Sequence, residues 1–307
     1  MISPLSSMNS LMEQMNSLAF EVCDSKHGGK GVFAKRAITR GELILCEEPL
    51  LIVDDDDETL NKSNFDELDA INQARVMELE DSHAEKTKDK SLAGIIRTNS
   101  YPTLTAEGKG TLLYIFSRFN HSCTPTIMHK YNDLLNKRYV YASRDIAVGE
   151  ELFSNYVDFY ASTKTRREEL QSKFGFKCQC TSCSATGSTS KVSDSNRSEI
   201  KRLDDVVYEN IRTGNYEEAN VSIEKRIDLL EKEDLATPDI MYRIAYDGYQ
   251  CEDHRGNAAK AVDWLLKCRN YSRQFLMRET FDCLEIQKLL DERKPKISET
   301  NICNNKN

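Results

Sequence analysis

A chain of 307 residues can form one large domain or two ordinary ones, and 39% hydrophobic residues supply ample material for a core. The formal net charge of −8 argues against a mainly electrostatic grip on DNA or RNA. A zinc-dependent nucleic-acid module is disfavoured for the same reason, since no basic stripe is present. A Lys-rich protein partner would instead be attracted by this charge.

The first residues, Met1 to Phe20, lack a charged n-region and a continuous apolar stretch, so no secretory signal is expected. The most apolar run, Leu43 to Val53, is interrupted by charges and a proline and is too short to span a membrane. We therefore expect an intracellular protein, nuclear or cytoplasmic. Because thiols stay reduced there, clustered cysteines among the ten would bind metal rather than form disulfides.

Residues 18–53 are predicted to be β-rich, with short apolar runs on either side of a glycine turn at His27–Gly31. A strand is expected from Leu43 to Cys46. The acidic stretch Asp54–Glu58 reads as a solvated loop rather than a metal site.

Helical character follows over residues 59–98. Four apolar residues recur there at roughly helical spacing: Phe65, Leu68, Ile71 and Ala74. Short strands return between Leu112 and Tyr160, and a helix is predicted over Thr163–Phe174, just before a tight cluster of cysteines.

The segment Ser184–Ser198 is rich in Ser, Thr, Gly and Asn and is predicted to be a linker. Beyond it, apolar residues fall on single helical faces, as in Ile200, Leu203, Val206, Val207 and Ile211. Gly-Asn pairs at Gly214 and Gly256, each with an alanine shortly after, predict two helical hairpins. Their 42-residue separation does not fit the tetratricopeptide period.

Two of the four segments that could carry chemistry are short polar motifs in the first half of the chain. Gly29-Lys30-Gly31 would let the backbone approach a ligand closely, although most such triplets are ordinary turns. A Rossmann fingerprint is excluded because its third glycine is missing and no βαβ unit follows. The run Asn120–Cys123 offers an amide, an imidazole, a hydroxyl and a thiol among apolar residues. Its alternative is a turn whose polar groups are all satisfied.

The other two segments are a strand ending in a tyrosine and a cysteine cluster. The run Gly149–Tyr156 closes on Tyr156, which could be core or catalyst. Three cysteines within six residues suit tetrahedral thiolate coordination better than disulfides: Cys178, Cys180 and Cys183. The fourth ligand must come from elsewhere, and Cys123 is the candidate. The alternative is that the three cysteines are incidental.

In this order, the four segments resemble a SET domain with its post-SET cysteines. The resemblance covers roughly Phe20 to Cys183 and is closest to the SET and MYND domain subfamily and its fungal relatives. Residues 51–61 contain no Cys-x-x-Cys series, so the MYND zinc finger is missing. The helical C-terminal part is similar in style to that of the subfamily.

The implied fold is α+β, a SET-domain β-fold of small sheets with a helical insert and a zinc-binding post-SET segment, followed by an α-helical C-terminal region. The expected boundaries are an N-terminal extension 1–17, a SET domain 18–160 with its insert at about 59–108, a post-SET zinc segment 161–184, a linker 185–198, a helical region 199–293 and a disordered tail 294–307.

The resemblance also implies an activity, a protein-lysine N-methyltransferase that uses S-adenosylmethionine. It assigns the cofactor to these residues: Gly29, Lys30, Gly31, Asn99, Asn120, His121, Tyr156 and Phe176. Phe176 would stack on the adenine, and Tyr156 would be the catalytic residue that orients the methyl group and the amine. One structural Zn²⁺ would be held by Cys123, Cys178, Cys180 and Cys183. Aromatic residues expected at the lysine channel are Phe153, Phe159, Tyr160 and Phe174.

The implied partner is a protein that carries a lysine, such as a histone tail, and a chromatin role would follow from it. Direct contact with nucleic acid or membrane is not expected, and the chain is expected to act as a monomer. The alternative hypothesis is a catalytically weak or inactive SET-fold scaffold that acts through its helical C-terminal region.

Overall fold

The computed structural model describes residues 19–84, 89–103, 108–275 and 283–293. They divide into two compact units. The first comprises the described residues of Met1–Asp158 together with Lys164–Cys183, and the second Phe159–Thr163 together with those of Ser184–Asn307. Within the described ranges, every helix is too short or too polar to cross a membrane.

The first unit is built from ten short strands. They are β1 Phe20–Asp24, β2 Lys30–Ala34, β3 Leu43–Glu47, β4 Leu51–Asp54, β5 Tyr101–Pro102, β6 Lys109–Leu112, β7 Asn120–His121, β8 Ile127–Asn132, β9 Lys137–Ala142 and β10 Glu151–Ser154. Three small sheets result, ordered β1-β2-β10-β7, β3-β9-β8 and β4-β6-β5. The parallel pair of β10 and β7 sets Phe153 opposite Asn120 and Ser154 opposite His121. Two predicted motifs that lie thirty residues apart in sequence therefore become direct neighbours.

The chain has ten helices within the described residues. They are α1 Glu58–Asp66, α2 Ala70–Glu78, α3 Leu92–Asn99, α4 Thr163–Phe174, α5 Thr181–Ser184, α6 Gly187–Thr213, α7 Tyr216–Lys232, α8 Pro238–His254, α9 Ala258–Ser272 and α10 over residues 283–293. The predicted α+β class is confirmed, with small sheets in the first unit and helices making up the second.

The sheets pack on an apolar core whose inward positions alternate along the strands, as in Val32 and Ala34 of β2 and Leu152 of β10. The predicted glycine turn joins β1 to β2. Gly28 and Gly29 have φ values of 106° and 59° there, a conformation that favours glycine.

The insert between β4 and β6 contains α1 to α3, as the helical character of residues 59–98 predicted. The four apolar residues at roughly helical spacing do not share one helix, however. Asp69 caps α2 by accepting from the Asn72 amide, so the chain turns after Asp66 and Ile71 is 68% exposed. Only residues 55–57 of the acidic stretch form a loop, since Glu58 already begins α1.

The second unit corrects the predicted linker, because residues 187–198 form the first part of the 27-residue helix α6. Polar residues there are packed rather than solvated. Arg197 is fully buried and pairs with Glu233 at 3.1 Å, and Asn196 donates to the same carboxylate. The division between units does fall at Ser184, where the linker was predicted to begin.

Both predicted helical hairpins are present. Gly214, with φ 79°, ends α6 and Asn215 starts α7 as its N-cap. Asn257 is the N-cap of α9, directly after Gly256, and its side chain accepts from the Lys260 amide, whereas the Asn215 side chain makes no capping hydrogen bond. The predicted N-terminal extension 1–17 and tail 294–307 lie outside the described residues.

Candidate functional site

A cavity of about 1220 Å³ opens in the first unit, and the predicted motifs converge on it. Seven of the eight residues predicted to hold a cofactor line it: Gly29, Lys30, Asn99, Asn120, His121, Tyr156 and Phe176. The eighth, Gly31, packs against Glu151 instead. A Cβ atom on Gly31 would lie 2.4 Å from Oε1 of that carboxylate, so only glycine leaves room for it.

Asn120 ties the three strands at the cavity together. Its Nδ2 donates to Oε1 of Glu151 on β10 at 2.8 Å and to the Lys30 carbonyl on β2 at 3.1 Å. The side-chain amide of Asn99 also donates within the chain, to the carbonyls of Glu80 and Ile95, both at 2.7 Å. Only its carbonyl oxygen is therefore left to contact a ligand.

His121 connects the tyrosine to the cysteines. Its Nδ1 accepts from the Tyr156 amide at 3.1 Å, and its Nε2 lies 3.3 Å from Sγ of Cys123. Burial lowers the pKa of His121 to about 4, so the ring is neutral near pH 7. With Nδ1 accepting, the single ring proton sits on Nε2 and points at the sulfur.

Tyr156 is fixed by its hydroxyl and by its ring. The hydroxyl donates to the Phe119 carbonyl at 2.6 Å. The ring packs against Phe174 with centroids 5.0 Å apart and against His121 at 5.3 Å. Burial raises the pKa of the hydroxyl well above 10, so it is a hydrogen-bond donor at neutral pH and not a base.

A second cavity of about 540 Å³ shares part of this wall. Tyr156 and Phe174 line both cavities, and the second is completed by residues that include Tyr101, Tyr131 and Arg138. An aromatic boundary shared by two cavities is an arrangement in which two bound molecules can meet.

The predicted channel aromatics are only partly placed at this boundary. Phe174 lies in it, and Phe153 lines the larger cavity. Phe159 and Tyr160 are corrected, because both pack on the apolar cluster of the second unit. The sequence interpretation did not include Tyr101 among the lining residues. Tyr101 lies at the start of β5, two residues after the last helix of the insert.

Arg138 places a buried positive charge beside the second cavity. The guanidinium lies 5.0 to 5.6 Å from three ring centroids, those of Tyr101, Phe116 and Tyr131, and donates to Nδ1 of His129 at 2.8 Å. Burial lowers the pKa of Arg138 to about 10 and that of His129 to about 3. Arg138 nevertheless remains a cation near neutral pH.

The four predicted metal ligands are brought together. The sulfurs of Cys123, Cys178, Cys180 and Cys183 all lie within 4.8 Å of one another. Zn–S bonds of about 2.3 Å in a tetrahedron place sulfurs about 3.8 Å apart, and Cys123 and Cys183 are 3.5 Å apart. Nη2 of fully buried Arg166 lies 3.8 Å from Sγ of Cys183, where its charge would offset that of thiolates. The nine cysteines of the described ranges form no disulfide. The donor set fits Zn²⁺.

Comparison with known proteins identifies the fold. Residues 29–157 match the SET domain family. This part of the chain is similar to a SET domain. Histone-lysine N-methyltransferase set5 of Schizosaccharomyces pombe is 30% identical over 200 residues, which are 60% of this chain and 57% of that protein. N-lysine methyltransferase SMYD2 of Homo sapiens is 35% identical over 86 residues, 28% of this chain and 18% of its own. The predicted resemblance to the SET and MYND domain subfamily is thereby confirmed.

The chain spans less than two thirds of the length of either relative. A solved structure, the SET domain of LSMT bound to lysine and AdoHcy, aligns over 97% of this chain and 93% of its own, with 10% identity and a TM-score of 0.36.

Proposed function

We propose that this SET domain transfers a methyl group from S-adenosylmethionine to the side-chain amine of a protein lysine. The observation that carries the proposal is the shared wall of the two cavities. Tyr156 and Phe174 separate a large cavity from a smaller aromatic one, so donor and acceptor can approach each other from opposite sides. The names of set5 and SMYD2 as lysine methyltransferases support it.

The larger cavity would hold the cofactor. Backbone groups at Gly29 and Lys30, with Asn120 and His121, would contact its amino-acid end, and the ring of Phe176 would stack on its adenine. The cofactor supplies an electrophilic methyl group. The task of the protein is then alignment, which is the main source of acceleration when two groups are held in one geometry.

The smaller cavity would hold the acceptor side chain, which must be a neutral amine to react. With a pKa near 10.4, an exposed lysine at pH 7.4 is deprotonated only at a cost of about 4 kcal/mol. The rings of Tyr101 and Phe174 would keep water away from the amine, and the Arg138 cation, which lines the same cavity, would repel the ammonium form. Tyr156 keeps its own proton and would orient the amine.

The zinc site would be structural. Cys178 and Cys180 line the larger cavity, and Phe176 precedes Cys178 by two residues. A metal bound to the four sulfurs would hold this segment against the cavity as a wall. The ion itself would take no part in the transfer.

The substrate is proposed only as a class. A protein lysine, histone or not, would suit the acceptor cavity, and a nuclear location would accompany a histone substrate such as the name of set5 indicates. We also propose that the protein acts as a monomer and does not bind nucleic acid directly.

The test is incubation of the protein with labelled S-adenosylmethionine and a cell extract, followed by mass spectrometry of the labelled bands. Transfer to lysine by the wild type and its loss in Tyr156→Phe are expected. Calorimetric titration with S-adenosylhomocysteine runs alongside. If that ligand does not bind, the protein is a SET-fold scaffold and the proposal is wrong.

A further inference from the structure

One buried carboxylate of the larger cavity has no role in the assignments above. Glu151 stands on β10, opposite Phe33 of β2, and is 7% exposed. Its Oε1 accepts from Oγ of Ser25 and from Nδ2 of Asn120, both at 2.8 Å. Its Oε2 is buried and has no hydrogen-bond partner among the described residues.

The basic side chains of this cavity do not satisfy that oxygen. His27 comes nearest, with Nε2 at 3.9 Å from Oε2, which is beyond hydrogen-bond distance. Lys30 pairs with Asp24 at 2.7 Å, and Arg144 pairs with Glu150. A buried acceptor left unpaired is costly, and more so when it is charged, so the free Oε2 calls for a cationic donor from a ligand.

We propose that Glu151 receives the α-ammonium group of the amino-acid end of the bound cofactor. The inference rests on the proposed function, and it assigns the ammonium subsite to a side chain rather than to backbone carbonyls. The carboxylate is held ready for this task. Ser25 and Asn120 hold Oε1 from two sides, which leaves Oε2 as the only oxygen for a ligand.

The same geometry explains the glycine motif. Gly31 faces the Glu151 carboxylate, where any side chain would push Oε1 from its two donors. The motif therefore serves the ligand indirectly, because it makes room for the group that would bind the ammonium. An ammonium on Oε2 would form a charge-assisted hydrogen bond, about twice as strong as a neutral one.

The experiment is a cycle of two proteins and two ligands, measured by calorimetry. The proteins are wild type and Glu151→Gln, which keeps the shape of the side chain and removes its charge. The ligands are S-adenosylhomocysteine and its deamino analogue, 5′-(3-carboxypropylthio)adenosine, which lacks only the ammonium group. We expect Glu151→Gln to weaken S-adenosylhomocysteine about 10- to 100-fold and to leave the deamino analogue unchanged or bound more tightly.

The possible failures are distinguishable. Equal losses for both ligands would make Glu151 a structural residue and overturn the inference while the proposed function stands. If S-adenosylhomocysteine does not bind the wild type, the proposed function and the inference both fall. Ser25→Ala provides a second variant that leaves the charge in place, and it should weaken S-adenosylhomocysteine by less than Glu151→Gln does. A larger loss in Ser25→Ala would also contradict the assignment.

Discussion

The substitution Tyr156→Phe removes a single hydroxyl at the wall between the two cavities. That hydroxyl donates to the Phe119 carbonyl at 2.6 Å in a buried setting. The phenyl ring can keep its contacts with Phe174 and His121. The variant therefore removes one hydrogen bond and the polar group that is proposed to lie nearest the reacting atoms, and it leaves the shape of the wall intact.

Two effects of different size are expected. Leaving the Phe119 carbonyl unpaired should cost about 1–3 kcal/mol of unfolding free energy, or a few degrees in Tm. Methyl transfer should fall more, by about 100-fold, because loss of alignment at a reacting centre has consequences of that order. Affinity for S-adenosylhomocysteine should stay within about threefold, since the Tyr156 hydroxyl is already used within the protein.

Single-turnover methyl transfer, calorimetric binding and thermal unfolding separate these effects. The matched control is Tyr139→Phe, which removes the hydroxyl of another buried tyrosine, on β9 beside Cys46. It should lower Tm similarly and leave transfer near the wild-type rate. Unchanged transfer in Tyr156→Phe would remove Tyr156 from the mechanism. An equal loss of transfer in the control would mean that stability, not alignment, was being measured.

Cys180→Ser should release zinc, lower Tm and weaken the binding of S-adenosylhomocysteine. The control Cys251→Ser, in the helical unit, should leave the metal content unchanged. If metal analysis finds no zinc in the intact protein, the four-cysteine site is wrong. Burial raises the pKa of Glu47 in the folded protein to about 7. The folded state therefore holds the Glu47 proton more tightly than the unfolded state does, and this stabilises the fold below pH 4.5. The contribution, about 3 kcal/mol at most, is lost as the pH rises through 7. The Tm advantage of wild type over Glu47→Gln should thus be larger at pH 5 than at pH 8, and a difference independent of pH would contradict the raised pKa. Arg138→Met should move the midpoint of the pH–rate profile upward, because the acceptor amine loses a neighbouring cation. Arg138→Lys keeps the charge and should leave the midpoint unchanged. An unchanged midpoint in Arg138→Met would exclude the charge from catalysis.

Local sequence patterns predicted the structure correctly where that structure depends on residues that are close in sequence. The turn at Gly28 and Gly29 and the caps at Asn215 and Asn257 follow from residue chemistry within a few positions. The order of the motifs predicted the site residues, because it resembles the order in a family whose fold brings these motifs together. The pairing of β10 with β7 was not visible in the residues themselves.

Where nonlocal contacts decide, the sequence interpretation failed. Composition made residues 185–198 a linker, but Arg197 and Glu233, 36 positions apart, form a buried pair that turns this polar segment into packed helix. Phe159 and Tyr160 were predicted as channel residues, but the chain passes into the second unit directly after Asp158. Glu151 escaped notice because its contacts with Ser25 and Asn120 exist only after three strands have paired.

The fixed position of Tyr156 links the metal site to the reacting wall. Its amide donates to Nδ1 of His121, and the proton on Nε2 of that neutral ring points at Cys123, one of the four sulfurs. Two contacts therefore separate the metal ligand from the backbone of the tyrosine. A bound zinc would make the sulfur a thiolate and a stronger acceptor for the His121 proton, which would favour the tautomer that accepts from Tyr156. A structural ion would in this way help to position the residue that is proposed to contact the substrate.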